Sequence, residues 1–331
     1  MRLITQRLQV LQRLQDAGRN GCPLLCPNAE TPDEMEGVML GAQAYAGAAG
    51  LPVVVVGLGV TASYPDHPQL LGLGLSVVGD SRALEDSAQT WLGWLSGYAN
   101  RHGIFDEVEV IPFLDHGWMP HAADVALMRQ AWFQEAMGII MFDASARDFD
   151  ENAAATAEFV REAGGRVVVE ACPDKVYSHA EISVRKLSGA DLLSQPDAVE
   201  EFVRRTRVDL LVPNLGTEHR TSSTEPLQYR HDLAQEIARR VGPIQALHGS
   251  SSLGGKLGAV GRDGICKINY YTAMARYASQ EVRTAWAATP EKQSLPIGVA
   301  CGSFLHRTRR AAIAQNVHSM LATIATESAA V

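Results

Sequence analysis

The chain has 331 residues, 46% of them apolar and 20% charged, with a formal net charge of −8. That acidic balance excludes a non-specific nucleic-acid binder, which needs a basic surface, yet it leaves room for a local pocket that takes a phosphorylated small molecule. Five cysteines, an odd number with no CxxC pair, suggest reduced thiols and not a disulfide framework.

The first segment, MRLITQRLQVLQRLQDAG, spaces Leu3, Ile4, Leu8, Leu11 and Leu14 as an amphipathic helix over about residues 1–18. It lacks the continuous apolar centre of a signal peptide. The longest apolar run, Leu51 to Val60, is too short to span a bilayer. A cytoplasmic chain with no membrane contact is the expectation.

Eight apolar runs then recur, each closed by a polar or glycine cluster. They are Pro23–Cys26, Pro52–Gly59, Val108–Asp115, Gly138–Ser145, Arg166–Cys172, Val208–Gly216, Pro243–Gly249 and Gly264–Tyr270. Continuous Val/Ile/Leu runs fit strands buried on both faces, as a parallel sheet requires. Helical spacing fills the intervals, with start signals at Thr31-Pro32-Asp33-Glu34, at Asp148 to Asn152 and at Ser194-Gln195-Pro196-Asp197. Eight strand-then-helix units predict a (β/α)8 TIM barrel, one domain over 1–331 with C-terminal helices at about 303–328; an open doubly wound sheet is the alternative. The long linkers at 60–83 and 173–194 belong to the active-site face of such a barrel.

Catalysis on a barrel is built at the C-terminal ends of the strands. Three of the ten histidines fall there: His116 in FLDHG, His219 in LGTEHR and His248 in ALHGSSS. A single histidine at a strand end is more often a hydrogen-bonded structural residue. Three together suit a catalytic zinc site (Zn2+), with three protein ligands and one open position. Asp115, beside His116, suits proton transfer to a substrate hydroxyl or support of a metal-bound histidine. Gly249, Ser250 and Ser251, with Asn269 and Thr272 after the eighth strand, suit an anion site at the position where barrels often bind phosphate. Arg220 suits a carboxylate or phosphate, or a solvated surface. His179, in the long loop after the fifth strand, is a further candidate.

Several of these stretches resemble the class II, zinc-dependent fructose-bisphosphate and tagatose-bisphosphate aldolases. PNAETPDEMEGVMLGAQAYAGAAGLPVVV, which contains Asn28, is similar to the family's first βα unit. IPFLDHGWMPHAADVALMRQAWFQEAMGIIMFDASARDFDENAAATAEFVREAGGRVVVEA is similar to its DHG and MxDxS stretch. VDLLVPNLGTEH resembles its GTxHG segment, and LHGSSS with GICKINYYTAMARYA resembles its LHGGSG and GVxKVNIDTD pair. The resemblance implies zinc on His116, His219 and His248, a proton-transferring Asp115, and a donor site at Gly249, Ser251, Asn269 and Thr272. Asp143 implies an acid near the metal, with Glu170 and Asn28 behind the site. In such enzymes zinc stabilises an enediolate that adds to an aldehyde, no Schiff-base lysine is used, and the molecules are dimers or tetramers.

The departures are specific. The family's VEAELG and its glycine-rich glutamate loop become VEACPDKVYSHAEISVRKLSG. Glu170 is kept, Cys172 replaces the second glutamate, and Glu181, His179 and Tyr177 are candidates for the lost acid. HGxYK becomes His219-Arg220-Thr221-Ser222-Ser223, and Tyr271 replaces an aspartate. The expectation is therefore a divergent zinc aldolase acting on a small phosphorylated or carboxylated keto compound, not the ordinary glycolytic bisphosphate. A metal-dependent epimerase, another lyase, a hydrolase or a non-catalytic aldolase-like subunit are the alternatives.

Overall fold

The computed structural model describes residues 1–64, 68–72, 81–101, 103–175, 192–217, 228–253, 257–288 and 303–329. All eight apolar runs form strands: β2 (Leu24–Pro27), β3 (Val54–Thr61), β4 (Val108–Trp118), β5 (Ile139–Asp143), β6 (Val168–Ala171), β7 (Leu210–Leu211), β8 (Gln245–Leu247) and β9 (Ile265–Tyr270). Every pairing is parallel, from β3 round to β9 and on to β2. A bridge between Asn28 and Gly59 joins β2 to β3, so the sheet curls into a barrel with helices outside.

The amino terminus differs from the sequence expectation of a helix over about 1–18. Arg2–Leu3 forms a short strand, β1, paired with Glu109 and Val110 of β4, and the helix α1 runs from Arg7 to Arg19. Leu3 thus leaves the helical pattern, and Leu8 is exposed. Val10, Leu14 and Ala17 of α1 pack with Ile111, Phe113, Ile139, Val168, Leu210 and Cys266, closing one end of the barrel.

Helix starts follow their sequence signals. Pro32 opens α2 (Pro32–Ala49) after Thr31, and Asp148 caps α7 (Phe149–Ala163) by accepting from the Glu151 amide. Between them run α3 (Gln69–Gly72), α4 (Ser81–Ala99), α5 (Ala122–Arg129) and α6 (Ala131–Ala136). Pro196 opens α8 (Pro196–Thr206), followed by α9 (His231–Val241), α10 (Thr272–Ala287) and a long α11 (Ser303–Ala329). Helix α11 lies along α2, where a Cβ at Gly41 would come within 2.5 Å of the Ala314 carbonyl. Arg309 of α11 pairs with the buried Glu34 of α2 at 2.6 Å. Among the described residues no helix is long and apolar enough to cross a membrane.

Inside a barrel every second residue of a strand faces the axis. On β5 and β6 the inward series starts apolar, with Ile139 beside Val168. One step higher Met141 stands beside Glu170, and Asp143 and Cys172 follow, so buried polar groups enter toward the top. The barrel thus carries a buried polar floor at the C-terminal ends of its strands.

Candidate metal centre

Strand β4 supplies two neighbouring side chains to this floor. Leu114 pairs with Ile140 and Gly117 with Phe142, so Asp115 and His116 together stand opposite the single residue Met141. This is a β-bulge, and His116 adopts φ 49° within it. In a regular strand the two would face opposite sides; the bulge turns both inward. Both are buried, as is His248 at the end of β8.

The three side chains converge. His248 Nδ1 lies 3.2 Å from His116 Nε2, and each nitrogen is 3.9 Å from Asp115 Oδ1. All three ligand atoms fall within 4.8 Å of one another. Behind them, His116 Nδ1 meets Asp143 Oδ2 at 2.6 Å and His248 Nε2 meets Glu170 Oε1 at 3.1 Å. A carboxylate behind each imidazole fixes its ring and leaves the other nitrogen's lone pair turned inward, as metal-binding histidines require. Asp143 is held in turn by the hydroxyl and amide of Ser145, at 2.6 and 3.0 Å. The donor set of two imidazoles and a carboxylate suits zinc.

Asp115 is pinned on both oxygens. Asn28 donates to Oδ2 and Asn269 to Oδ1, each at 2.8 Å. Burial pushes its carboxyl up, but His116, His248, Lys267 and the Asn28 hydrogen bond outweigh burial and hold the pKa at about 2. Burial disfavours charge on both histidines. At His116 the Asp115 and Asp143 carboxylates prevail and raise the pKa, whereas at His248 burial prevails and lowers it.

The cleft above is lined by Asn28, Thr61, Tyr64, Tyr271, Thr272 and the Gly249–Ser251 turn, together with the central groups. Gly249 takes φ 66° as the chain leaves β8, a left-handed turn that suits glycine. Ser250 Oγ donates to the Asn269 carbonyl at 2.6 Å, so this hydroxyl supports the floor. Tyr64 stacks on His116, with ring centroids 4.3 Å apart. Among the described residues no lysine or arginine lines the cleft.

The site expected from sequence is thus assembled in part. Asp115, His116, His248, Asn28, Asp143, Glu170, Asn269 and the Gly249–Ser251 turn with Thr272 come together. His219, Arg220, Glu181, His179 and Tyr177 lie outside the described residues. Cys172, which stands where the family has a glutamate, is buried among Met141, Val212 and Ala246, and burial drives its thiol pKa well up; it is core, not a reactive group. Sequence reading missed Tyr64, although it lies in the 60–83 linker assigned to this face. It also missed Thr217, whose hydroxyl donates to the His248 carbonyl at 2.8 Å.

The chain is similar to several known proteins. YdjI of Escherichia coli K12, an uncharacterized protein, is 30% identical over 206 residues, covering 60% of this chain and 65% of that one. The fructose-bisphosphate aldolase of Treponema pallidum is 28% identical over 177 residues, 47% of this chain and 49% of that one. The 6-phospho-5-dehydro-2-deoxy-D-gluconate aldolase of Bacillus licheniformis is 30% identical over 187 residues, 56% and 60%. The chain therefore spans about half to two thirds of the length of these relatives. The crystal structure described as the YdjI aldolase shares the fold, with a TM-score of 0.67 at 21% identity over 96% of this chain and 97% of that one. The family model for class II fructose-bisphosphate aldolase matches residues 12–327, and the chain belongs to that family.

Proposed function

We propose that this protein is a class II aldolase, a carbon–carbon lyase on a (β/α)8 barrel. It joins or separates a ketone donor and an aldehyde within a small phosphorylated or carboxylated sugar-like substrate. The observation that carries this reading is the meeting of Asp115, His116 and His248 at the strand ends. His116 Nε2 and His248 Nδ1 would hold a zinc ion, with His219 as the third ligand. A zinc ion there supplies Lewis acidity toward a substrate carbonyl.

The chain's own residues do the rest. Asp143 and Glu170 keep the two imidazoles oriented. Asp115, ionised at neutral pH, takes the proton from the hydroxyl beside the scissile bond during cleavage and returns it during synthesis. Asn28 and Asn269 keep its two oxygens aimed. The Gly249–Ser251 turn and Thr272 offer N–H and hydroxyl donors to the donor's anionic end, with Arg220 as an added cation. Glu181 or His179 carries the proton at carbon. The replaced donor-site residues, Tyr271 and Arg220, favour a substrate other than the glycolytic bisphosphate, and the likeness to the 6-phospho-5-dehydro-2-deoxy-D-gluconate aldolase of Bacillus licheniformis supports a phosphorylated keto acid. A cytoplasmic homodimer or homotetramer completes the reading.

The test is product analysis over phosphorylated and unphosphorylated ketoses and keto acids, before and after chelation. Release of an aldehyde fragment, abolished by chelator and restored by zinc, is expected. A product set without aldehyde, or turnover indifferent to metal removal, would refute the assignment.

A further inference from the structure

Lys267 is fully buried, yet it has no part in the chemistry above. Its ammonium sits 2.8 Å from Glu170 Oε2 and 3.1 Å from Oε1, donates to Asn269 Oδ1, and lies 4.5 Å from the centre of the Phe113 ring. A bulge in β9 brings it there. Gln245 pairs with Ile265 and Ala246 with Lys267, so Cys266 is the extra residue, and Lys267 and Asn269 share the inner face. A buried ion pair adds little net stability over apolar side chains of the same volume. What the cation adds is direction.

Asn269 has two ends. With its oxygen on the ammonium, its NH2 must face Asp115 Oδ1, at 2.8 Å; the flipped amide would set like against like on both sides. Glu170, held against the same ammonium, receives His248 Nε2 at 3.1 Å and leaves Nδ1 facing His116 and Asp115. One side chain thus touches the supports of both a proposed metal ligand and the proposed acid–base group.

We propose that Lys267 is a positioning residue, a buried cation that fixes the direction of the Asn269 amide against Asp115 and, through Glu170, the ring nitrogen that His248 turns to the centre. The zinc and turnover readouts below rest on the function proposed above; the His248 tautomer does not.

The test compares E170Q with E170Q/K267M in the full chain. The double variant removes both charges, so neither is stranded in the core. Ring-nitrogen NMR shifts of His248 in metal-free protein, zinc affinity by chelator competition, and kcat with KM are read on both. E170Q is expected to show one His248 tautomer, the reverse of the wild type's, because the ammonium holds the oxygen of the introduced amide and turns its NH2 to His248 Nε2; with Nδ1 protonated, zinc binds about 10–100-fold more weakly than in wild type. E170Q/K267M is expected to show both tautomers, to bind zinc more tightly than E170Q, and to have a kcat at least tenfold below wild type with KM little changed. A double variant with the tautomer, zinc affinity and kcat of E170Q would overturn the proposal and reduce Lys267 to packing. If the methionine variant does not fold, E170Q/K267Q, which keeps a neutral donor, carries the same comparison. Wild-type protein that binds no zinc, with His248 still losing its single tautomer in the variant, would refute the metal reading and leave the positioning role standing.

Discussion

Asp115 Oδ1 and His116 Nε2 lie 3.9 Å apart in one cavity although the two residues are consecutive in a strand. The extra residue in β4 makes this possible, because it interrupts the two-residue alternation where the strand reaches the barrel mouth. An acid–base group and a metal ligand then come from adjacent positions, so their spacing is set by backbone geometry and not by loop packing.

His116→Ala is expected to retain the fold and to lose its divalent ion, with turnover abolished. Metal analysis after dialysis checks this. Unchanged metal content would remove His116 from the ligand set.

Asp143 acts through His116, whose Nδ1 it receives at 2.6 Å. Asp143→Asn is expected to bind zinc about 10–100-fold more weakly, measured by competition with a chromogenic chelator. Equal affinity would mean that the His116 ring is oriented by packing against Tyr64 alone.

Asp115→Asn is expected to keep the metal but slow turnover by roughly 10²–10⁴-fold, the usual worth of a positioned acid–base group. The same variant has a pH signature without metal. The Asp115 pKa is about 2 in the folded protein against an ordinary 3.8. Its stabilisation is therefore complete above the ordinary value and is lost as pH falls through that window. Thermal melts of metal-free wild type are expected to fall steeply from about pH 4 toward pH 2, and those of Asp115→Asn less steeply. Parallel curves would show that the carboxylate is not held by the floor.

Gly59 carries no side chain because the Phe113 ring occupies that space. A Cβ there would stand 2.1 Å from the ring. Gly59→Ala is expected to destabilise the protein by about 1–3 kcal/mol, the range for overpacking a core. Phe113→Leu in the same chain should recover part of the loss. Urea titration measures both; an unchanged midpoint in the single variant would contradict the close packing.

The strands were legible because a barrel buries both of their faces, which writes each one as a continuous apolar run. Asp115, His116 and His248 were legible because each ends such a run. The bulges at Asp115–His116 and at Cys266 were not, since one added residue leaves composition and run length unchanged. The second of these bulges is what turns Lys267 to the site's supports. Glu170 carried a readable signal, the two-residue step between Val168 and Cys172 on the inner face of β6 and just beyond its end. The short strand at Arg2–Leu3 was hidden by Leu3 and Ile4, which fit the helical spacing but serve strand pairing and the apolar end of the barrel closed by α1 instead.

The central claim is tested most directly by anomalous diffraction at the zinc edge on crystals of the zinc-loaded protein. The account requires one strong peak at the mouth of the barrel, about 2.0–2.1 Å from both His116 Nε2 and His248 Nδ1. Zinc bound elsewhere, or a peak that either of these nitrogens does not reach, would contradict it.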